Sequence, residues 1–418
     1  MWKKKIIVSW LIAICLITQS ISIVKADDIE EEEVEEIELQ NTIVEVTSQK
    51  VIEEPILSSN AAVVYDRTTG QMIWGKNENE KRAMASTTKI MTAMIVLEKA
   101  NLKDVVTVSK KAANTGGSVL HINTGDKISV NDLLYGLLLR SGNDTAVALA
   151  EHVGGSVEGF ATLMNQKAKE LGLTGTHFVT PHGLDSDEHY TTALELAKLT
   201  DNALNNEKFA QIVNTKKITI SVNGSPRTII NTNELLGVLQ GVNGVKTGFT
   251  GNAGRCLVTS CTRNGNQIIT VVLGADTKKQ RTEDSIKLIE YAFANYERID
   301  LQEMVLQKFE EWKQINEKRI YIHKAQTQNL NLAIEEVKNK KIIIKKGEAD
   351  NIHIHIQFIP YFEAPVAKNS KIGLITITKK TQKNEETIET INIYNTNDVQ
   401  KKTLQNYFCE LLTFYQKE

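Results

Sequence analysis

Three short motifs follow one another along the chain: Ser86-Thr87-Thr88-Lys89, Ser141-Gly142-Asn143 and Lys246-Thr247-Gly248. Together they hold the parts needed to transfer an acyl group to a serine. A serine hydroxyl is a weak nucleophile until a neighbouring base takes its proton. Residues three apart on a helix share a face, so Lys89 is spaced to serve Ser86. To accept a proton the amine must be neutral, although an isolated lysine titrates near pH 10.4. Burial and a second cation both lower that value, and Lys246 is the candidate cation. Free backbone N–H groups at a helix start favour developing negative charge, which makes the Ser86 N–H a candidate oxyanion donor. In such a site Ser141 would relay a proton to the leaving amine and Asn143 would hold a substrate amide. Lys246 and Thr247 would meet a carboxylate, and Gly248 would let a strand backbone approach the substrate closely.

Taken singly the motifs are cheap. The first pattern also occurs at Ser22–Lys25, and the second at Ser58–Asn60, Ser129–Asn131 and Ser221–Asn223. Plainer readings exist for each residue: Ser86 as a helix cap, Lys89 as a solvated helix residue, Ser141 as loop polarity, Gly248 as a turn. Order and context favour the chemical reading. Lys89 runs into the apolar Ile90-Met91-Thr92-Ala93-Met94, and the third pattern occurs once.

The elements that must position these residues read as α+β. Ala61–Asp66 and Met72–Trp74, with a turn at Thr69–Gly70, suggest a hairpin. Ser86–Ala100 reads as a helix with Ser86 near its N-cap and Ile90, Met91, Met94, Ile95 and Leu97 on its apolar face. Helices are expected at Val130–Leu139, Thr145–His152, Gly159–Leu171 and Thr192–Leu204, with Ser141 between the first two. Lys246 is expected to begin a strand. Strands Arg255–Thr262 and Gln267–Gly274 would join at Asn264–Gly265, and Glu283–Asn295 reads as a closing helix. Strands at both ends with helices between them point to an antiparallel sheet whose first and last strands meet, flanked by helices and carrying a helical subdomain.

The flanking regions differ in texture. Lys3, Lys4 and Lys5, an apolar run to Val24, and small residues at Val24 and Ala26 give residues 1–26 the layout of a secretory signal peptide; an uncleaved anchor would export the chain equally. Residues 27–54 are an acidic linker. A catalytic domain at 55–296 is followed by a β-rich domain at 297–400, with strands expected at Ile320–His323, Lys341–Lys345, Ile352–Phe358, Ile372–Thr378 and Ile388–Tyr394. His353 and His355 share a strand face and read as exposed. Cys256 and Cys261 are five apart in a strand, so they face opposite ways and suit no disulfide. Residues 402–418 place Leu404, Tyr407, Phe408, Leu411, Leu412 and Tyr415 on one helix face. That face would contact a membrane surface or dock on the β domain, and both readings stay open. A net charge of −2 in 418 residues offers no basic face for nucleic acid.

With its motifs in this order the chain resembles the low-molecular-mass penicillin-binding proteins, the D-alanyl-D-alanine carboxypeptidases of the serine peptidase S11 family. The likeness includes Asn143-Asp144-Thr145-Ala146, Thr180-Pro181-His182-Gly183-Leu184, His189-Tyr190-Thr191-Thr192-Ala193, Gly274-Ala275 and Arg281. It implies the penicillin-binding protein/β-lactamase-like fold, followed by a small all-β C-terminal domain and, in many members, an anchoring helix. It implies removal of the terminal D-alanine from peptidoglycan stem peptides through an acyl-enzyme on Ser86, with β-lactams as inhibitors and no cofactor or metal. Lys89 would be the proton acceptor, Ser141 and Asn143 the second element, and Lys246 a substrate contact. The Phe249 backbone N–H would complete the oxyanion hole, and Arg281 would lie near the substrate carboxylate. Thr232 stands where some members carry arginine, and Phe249 where the residue is often polar or tyrosine. The competing functions are a D,D-endopeptidase, a β-lactamase and a non-catalytic wall-binding protein. Against a β-lactamase, Glu170-Leu171-Gly172-Leu173 does not supply the glutamate pattern that activates a deacylating water.

Overall fold

A computed structural model describes residues 52–381 and 384–415. The expected leader at 1–26 and the acidic stretch to residue 51 lie outside them. The described chain clusters into two compact units. One holds Pro55–Tyr65 and Trp74–Ile289; the other holds Asp66–Ile73 and the residues from Glu290 onward.

The first unit is an antiparallel sheet with helices. Strands β1 (Ala61–Asp66) and β2 (Gln71–Lys76) lead to helix α1 (Lys89–Lys99), the short ribbon β3 (Val105–Thr107) and β4 (Lys127–Ser129), and, between those two strands, the single-turn α2 (Lys110–Ala113). Helices α3 (Val130–Leu139), α4 (Asn143–Gly154), α5 (Val157–Glu170), α6 (Ala193–Ala203) and α7 (Glu207–Val213) follow. A hairpin of β5 (Lys217–Val222) and β6 (Ser225–Ile230) precedes the long strands β7 (Val242–Thr250), β8 (Gly254–Arg263) and β9 (Asn266–Ala275), and α8 (Lys278–Asn295) closes the unit.

The sheet order is β2-β1-β9-β8-β7, so the first and last strands do meet. Asn264 and Gly265 both adopt positive φ, 50° and 74°, which suits the tight turn between β8 and β9. The helix starts are fixed by side-chain oxygens that accept orphan backbone N–H groups: Ser129, Ser156, Thr192 and Asn206. Helix α1 is apolar nearly all round, with every residue from Lys89 to Val96 buried. Such a helix must run through the core, and it carries Lys89 in with it.

Several expected boundaries move. The Ser86 segment opens with a 3₁₀ turn over Ala85–Thr88, and the α-helix starts only at Lys89. Lys246 sits in the middle of β7 rather than at its start. The closing helix begins at Lys278, which puts Arg281 on it. Cys256 and Cys261 are both buried on β8 as reduced thiols.

The second unit is β-rich. Its largest sheet runs β12 (Leu332–Ile334), β17 (Glu385–Asn395), β16 (Lys371–Lys380) and β14 (Ile352–Phe358), and smaller pairs join β10 (Tyr296–Asp300) to β13 (Lys341–Lys345) and β11 (Tyr321–His323) to β15 (Tyr361–Glu363). One helix was not expected there: α9 (Leu301–Asn316) buries Leu301, Val305 and Phe309 in this unit's core. Trp312 stacks on Phe309 and meets Phe358 edge-on. The last helix, α10 (Leu404–Tyr415), exposes Leu404, Tyr407, Phe408, Leu411 and Leu412. Among the described residues no helix is long and apolar enough to cross a membrane.

Candidate active site

The Ser86 turn is held by its own threonines. Thr87 Oγ1 donates to Met84 O at 2.6 Å and Thr88 Oγ1 to Ala85 O at 2.8 Å, while Ala85 takes φ 47°. Such local bonds compete with helix, which explains why α1 begins after the serine. Ser86 is therefore not a cap; its Oγ lies 2.9 Å from Lys89 Nζ. Behind the turn, Thr88 Oγ1 is 2.8 Å from His189 Nε2, and His189 Nδ1 accepts from Val179 N at 2.9 Å. An accepting Nδ1 leaves the proton on Nε2. Burial pulls the His189 pKa down to about 4, so the ring is a neutral strut.

Two glycines press on this turn. A Cβ on Gly248 would meet Ser86 N at 3.1 Å and Ala85 Cβ and Met84 O at 3.2 Å. Gly183, at φ +87°, would bring a Cβ to 2.0 Å from Ala85 O and 2.5 Å from Thr88 Oγ1. The need for glycine at 248 is thus contact with the serine's own turn, and not only closeness to a substrate.

Lys89 is wholly buried. Its Nζ donates to Ser86 Oγ, to Asn143 Oδ1 at 2.7 Å and to His182 O at 2.9 Å. The ammonium's three donors thus have three partners. Burial nevertheless holds its pKa well below that of an ordinary lysine, Lys246 lowers it further, and Asp144 acts in the opposite sense. Asn143 does more than line the cleft. Its Nδ2 donates to Gly116 O at 2.8 Å, and its backbone N–H to Ser118 O at 2.7 Å. Asp144 accepts from Leu120 N and Ile122 N. The loop facing Ser86 is tied to the start of α4 in this way. Ser141 precedes α4 with φ 64°, a left-handed conformation uncommon outside glycine, which turns the chain sharply at the cleft.

On the opposite wall, Lys246 is buried and donates to Thr247 O at 3.0 Å. The Thr247 and Thr232 hydroxyls are 2.7 Å apart. Phe249 lies under the Arg255 guanidinium, 3.6 Å from the ring centre. Arg281 reaches in from α8 with Nη2 3.4 Å from Glu234 Oε2.

One cleft gathers these groups. Ser86, Ser141, Asn143, Thr247, Gly248, Phe249 and Arg281 all line it, with Ser118, Leu184, Thr232 and Thr250; Lys89 and Lys246 lie buried next to it. Ser118 was not anticipated, because nothing local marks the Gly116-Gly117-Ser118 loop as facing the serine. The backbone carbonyl of His182, which holds Lys89, lies in the Thr180–Leu184 stretch of the likeness, but that stretch assigns it no role. A nucleophile beside a lysine of depressed pKa, backed by two serines and cations, suits acyl transfer.

Comparison with known proteins points the same way. The family described as D-alanyl-D-alanine carboxypeptidase matches residues 48–277, and that described as penicillin-binding protein 5, C-terminal domain, matches 312–401. D-alanyl-D-alanine carboxypeptidase DacF of Bacillus subtilis is 39% identical over 245 residues, 57% of this chain and 63% of that protein. The match thus spans less than two thirds of that relative's length. The crystal structure of the D-alanyl-D-alanine carboxypeptidase DacD from Francisella tularensis has a TM-score of 0.66 at 29% identity, covering 85% of this chain and 96% of that one. The Streptomyces K15 DD-transpeptidase has a TM-score of 0.56 at 36% identity, covering 58% of this chain and all of that one.

Proposed function

This chain belongs to the D-alanyl-D-alanine carboxypeptidase family, and from that premise we propose that it is a serine-type carboxypeptidase that removes the terminal D-alanine from peptidoglycan stem peptides. The observation that carries the reading is Lys89 Nζ, buried and 2.9 Å from Ser86 Oγ. The neutral amine accepts the hydroxyl proton as Oγ attacks the penultimate D-alanine carbonyl. Thr247 and Arg281 hold the leaving residue's carboxylate. The Ser86 and Phe249 backbone N–H groups receive the oxyanion. Ser141 passes the proton from Lys89 to the departing amine, and Asn143 keeps Lys89 aimed at the serine. Water then hydrolyses the acyl-enzyme along the reverse proton path. β-Lactams enter the same sequence and stop at the acyl stage.

The proposed setting is the outer face of the cytoplasmic membrane or the cell wall. Residues 1–26 export the chain, 27–54 are a spacer, and the apolar face of α10 supplies surface contact with lipid. The test of function is D-alanine release from a donor peptide ending in D-Ala-D-Ala. Release by the native protein and none by Ser86→Ala is expected; equal release by both would overturn the proposal.

A further inference from the structure

We propose that Arg227 is a positioning residue for the acyl transfer: from the β5–β6 hairpin it latches the loop at 116–122, and through that loop and Asn143 it keeps Lys89 covered and aimed at Ser86. This rests on the acyl-transfer reading above.

The hairpin is a fixed post. It buries Ile220, Val222 and Ile229 in the core of the catalytic unit. Past its base Thr232 N donates to Leu139 O at 3.1 Å, and at its tip Asn223 N donates to Lys127 O at 3.2 Å. Alternate residues of a strand share a face, so Arg227 lies inward with Ile229 while Thr228 and Ile230 stay exposed. Arg227 Nη1 donates to two successive carbonyls of the loop, Leu120 O and, at 3.3 Å, His121 O. His121 holds a left-handed φ of 57° there, a conformation uncommon outside glycine, and in it both carbonyls serve one nitrogen.

The other side of the loop closes on the reacting groups. Gly116 O accepts from Asn143 Nδ2, and Ser118 O from Asn143 N. Leu120 N and Ile122 N donate to the two oxygens of Asp144 at 2.9 and 3.2 Å. Asn143 Oδ1 takes its own hydrogen from Lys89 Nζ. Leu120 is thus gripped from both sides, its N–H by Asp144 and its carbonyl by Arg227.

Releasing the outer grip changes Lys89 in one direction. Burial is the largest cause of its lowered pKa, and Asp144 opposes it. Water admitted past a loosened loop undoes part of the burial, and Asp144, deprived of its N–H partners, attracts the ammonium more strongly. Both changes raise the pKa, so the neutral base forms only at higher pH. Lys246, His182 and His189 also face Lys89. Lys246 stays on β7, and the two histidines, with pKa values of about 3 and about 4, stay neutral across the range that matters.

The test follows acylation by a chromogenic β-lactam from about pH 5 to about pH 10 in the native enzyme and Arg227→Met, with hydrogen exchange of the loop read alongside. The expected result is faster exchange at the Leu120 and Ile122 amides with α1 unchanged. The acid limb of the rate profile should move up by at least about half a pH unit, about a threefold slower rate on that limb. KM for a D-Ala-D-Ala peptide should stay within about twofold of native. The shift should persist in about 1 M salt, which screens exposed charges beyond about 3 Å; a shift that vanishes there comes from charge alone and overturns the proposal. An unmoved limb overturns it too, whether the rate falls throughout or KM rises. Should Arg227→Met fail to fold, Arg227→Gln is read by the same criteria, and loss of the fold in both makes Arg227 a structural residue and overturns the proposal. No acylation by the native enzyme at any pH overturns the reading beneath it, and the proposal with it.

Discussion

Replacing Gly248 by alanine would place a Cβ 3.1 Å from the Ser86 backbone nitrogen and 3.2 Å from Ala85 Cβ and Met84 O. Ordinary carbon contacts lie at about 3.5–4.0 Å, so strand β7 and the turn must part by about 0.3–0.5 Å. Neither side can swing away. Two of the three neighbours are backbone atoms, and the third is the Cβ of a residue already held at φ 47°. In the proposed mechanism the Ser86 and Phe249 N–H groups converge on one oxygen, and the parting would widen the gap between them. Losing one oxyanion donor outright costs about 10²–10³ in rate. Partial loss should slow acylation by about 10- to 100-fold, about 1.4–2.8 kcal/mol in the barrier, with about 1–3 kcal/mol of overpacking on stability. Stopped-flow acylation by a chromogenic β-lactam reads the first, and urea unfolding the second. Acylation within twofold of the native rate in a folded Gly248→Ala protein would refute the close approach as the feature that sets the oxyanion hole.

Lys89→Met keeps the buried stem and removes the proposed base. Acylation should fall by about 10²–10⁴, and a variant that retains the native rate at neutral pH would exclude Lys89 as proton acceptor. Acid should unfold the catalytic unit partly through its buried histidines. His189 and His182 have pKa values pulled from 6.5 to about 4 and about 3. Below pH 6.5 the unfolded chain therefore binds protons that the folded chain does not, and stability falls as the pH drops toward those values. The His189 share is about 3 kcal/mol. Urea midpoints measured from pH 7 to 4 should fall less steeply in His189→Gln than in the native protein; parallel slopes would refute the assignment.

Much of the site was legible because its signals are short-range. Ser86 and Lys89 share a helical repeat, Ser141 falls between two periodic helices, and the Asn264–Gly265 turn marks the β8–β9 hairpin. Contacts between distant segments were not legible. Asn143, expected to hold a substrate amide, also bonds Lys89, and Gly183 must be glycine because Ala85 O stands 2.0 Å from where its Cβ would be. Both depend on segments that meet only in the fold. The 3₁₀ turn at Ser86 escaped the helical reading because threonine back-bonds, and not apolar spacing, decide it. Helix α9 and the β5–β6 hairpin are a different case, since both carry local signals: Leu301, Val305 and Phe309 at helical spacing, and Asn223–Gly224 between alternating strands.

Acylation of Ser86 with Lys89 as proton acceptor is tested most directly by intact-mass spectrometry of the protein after exposure to penicillin, with peptide mapping of any adduct. One stable penicilloyl group is expected, on Ser86, absent from Ser86→Ala and strongly delayed in Lys89→Met. An adduct on another residue, or an equally fast one without Lys89, would contradict it.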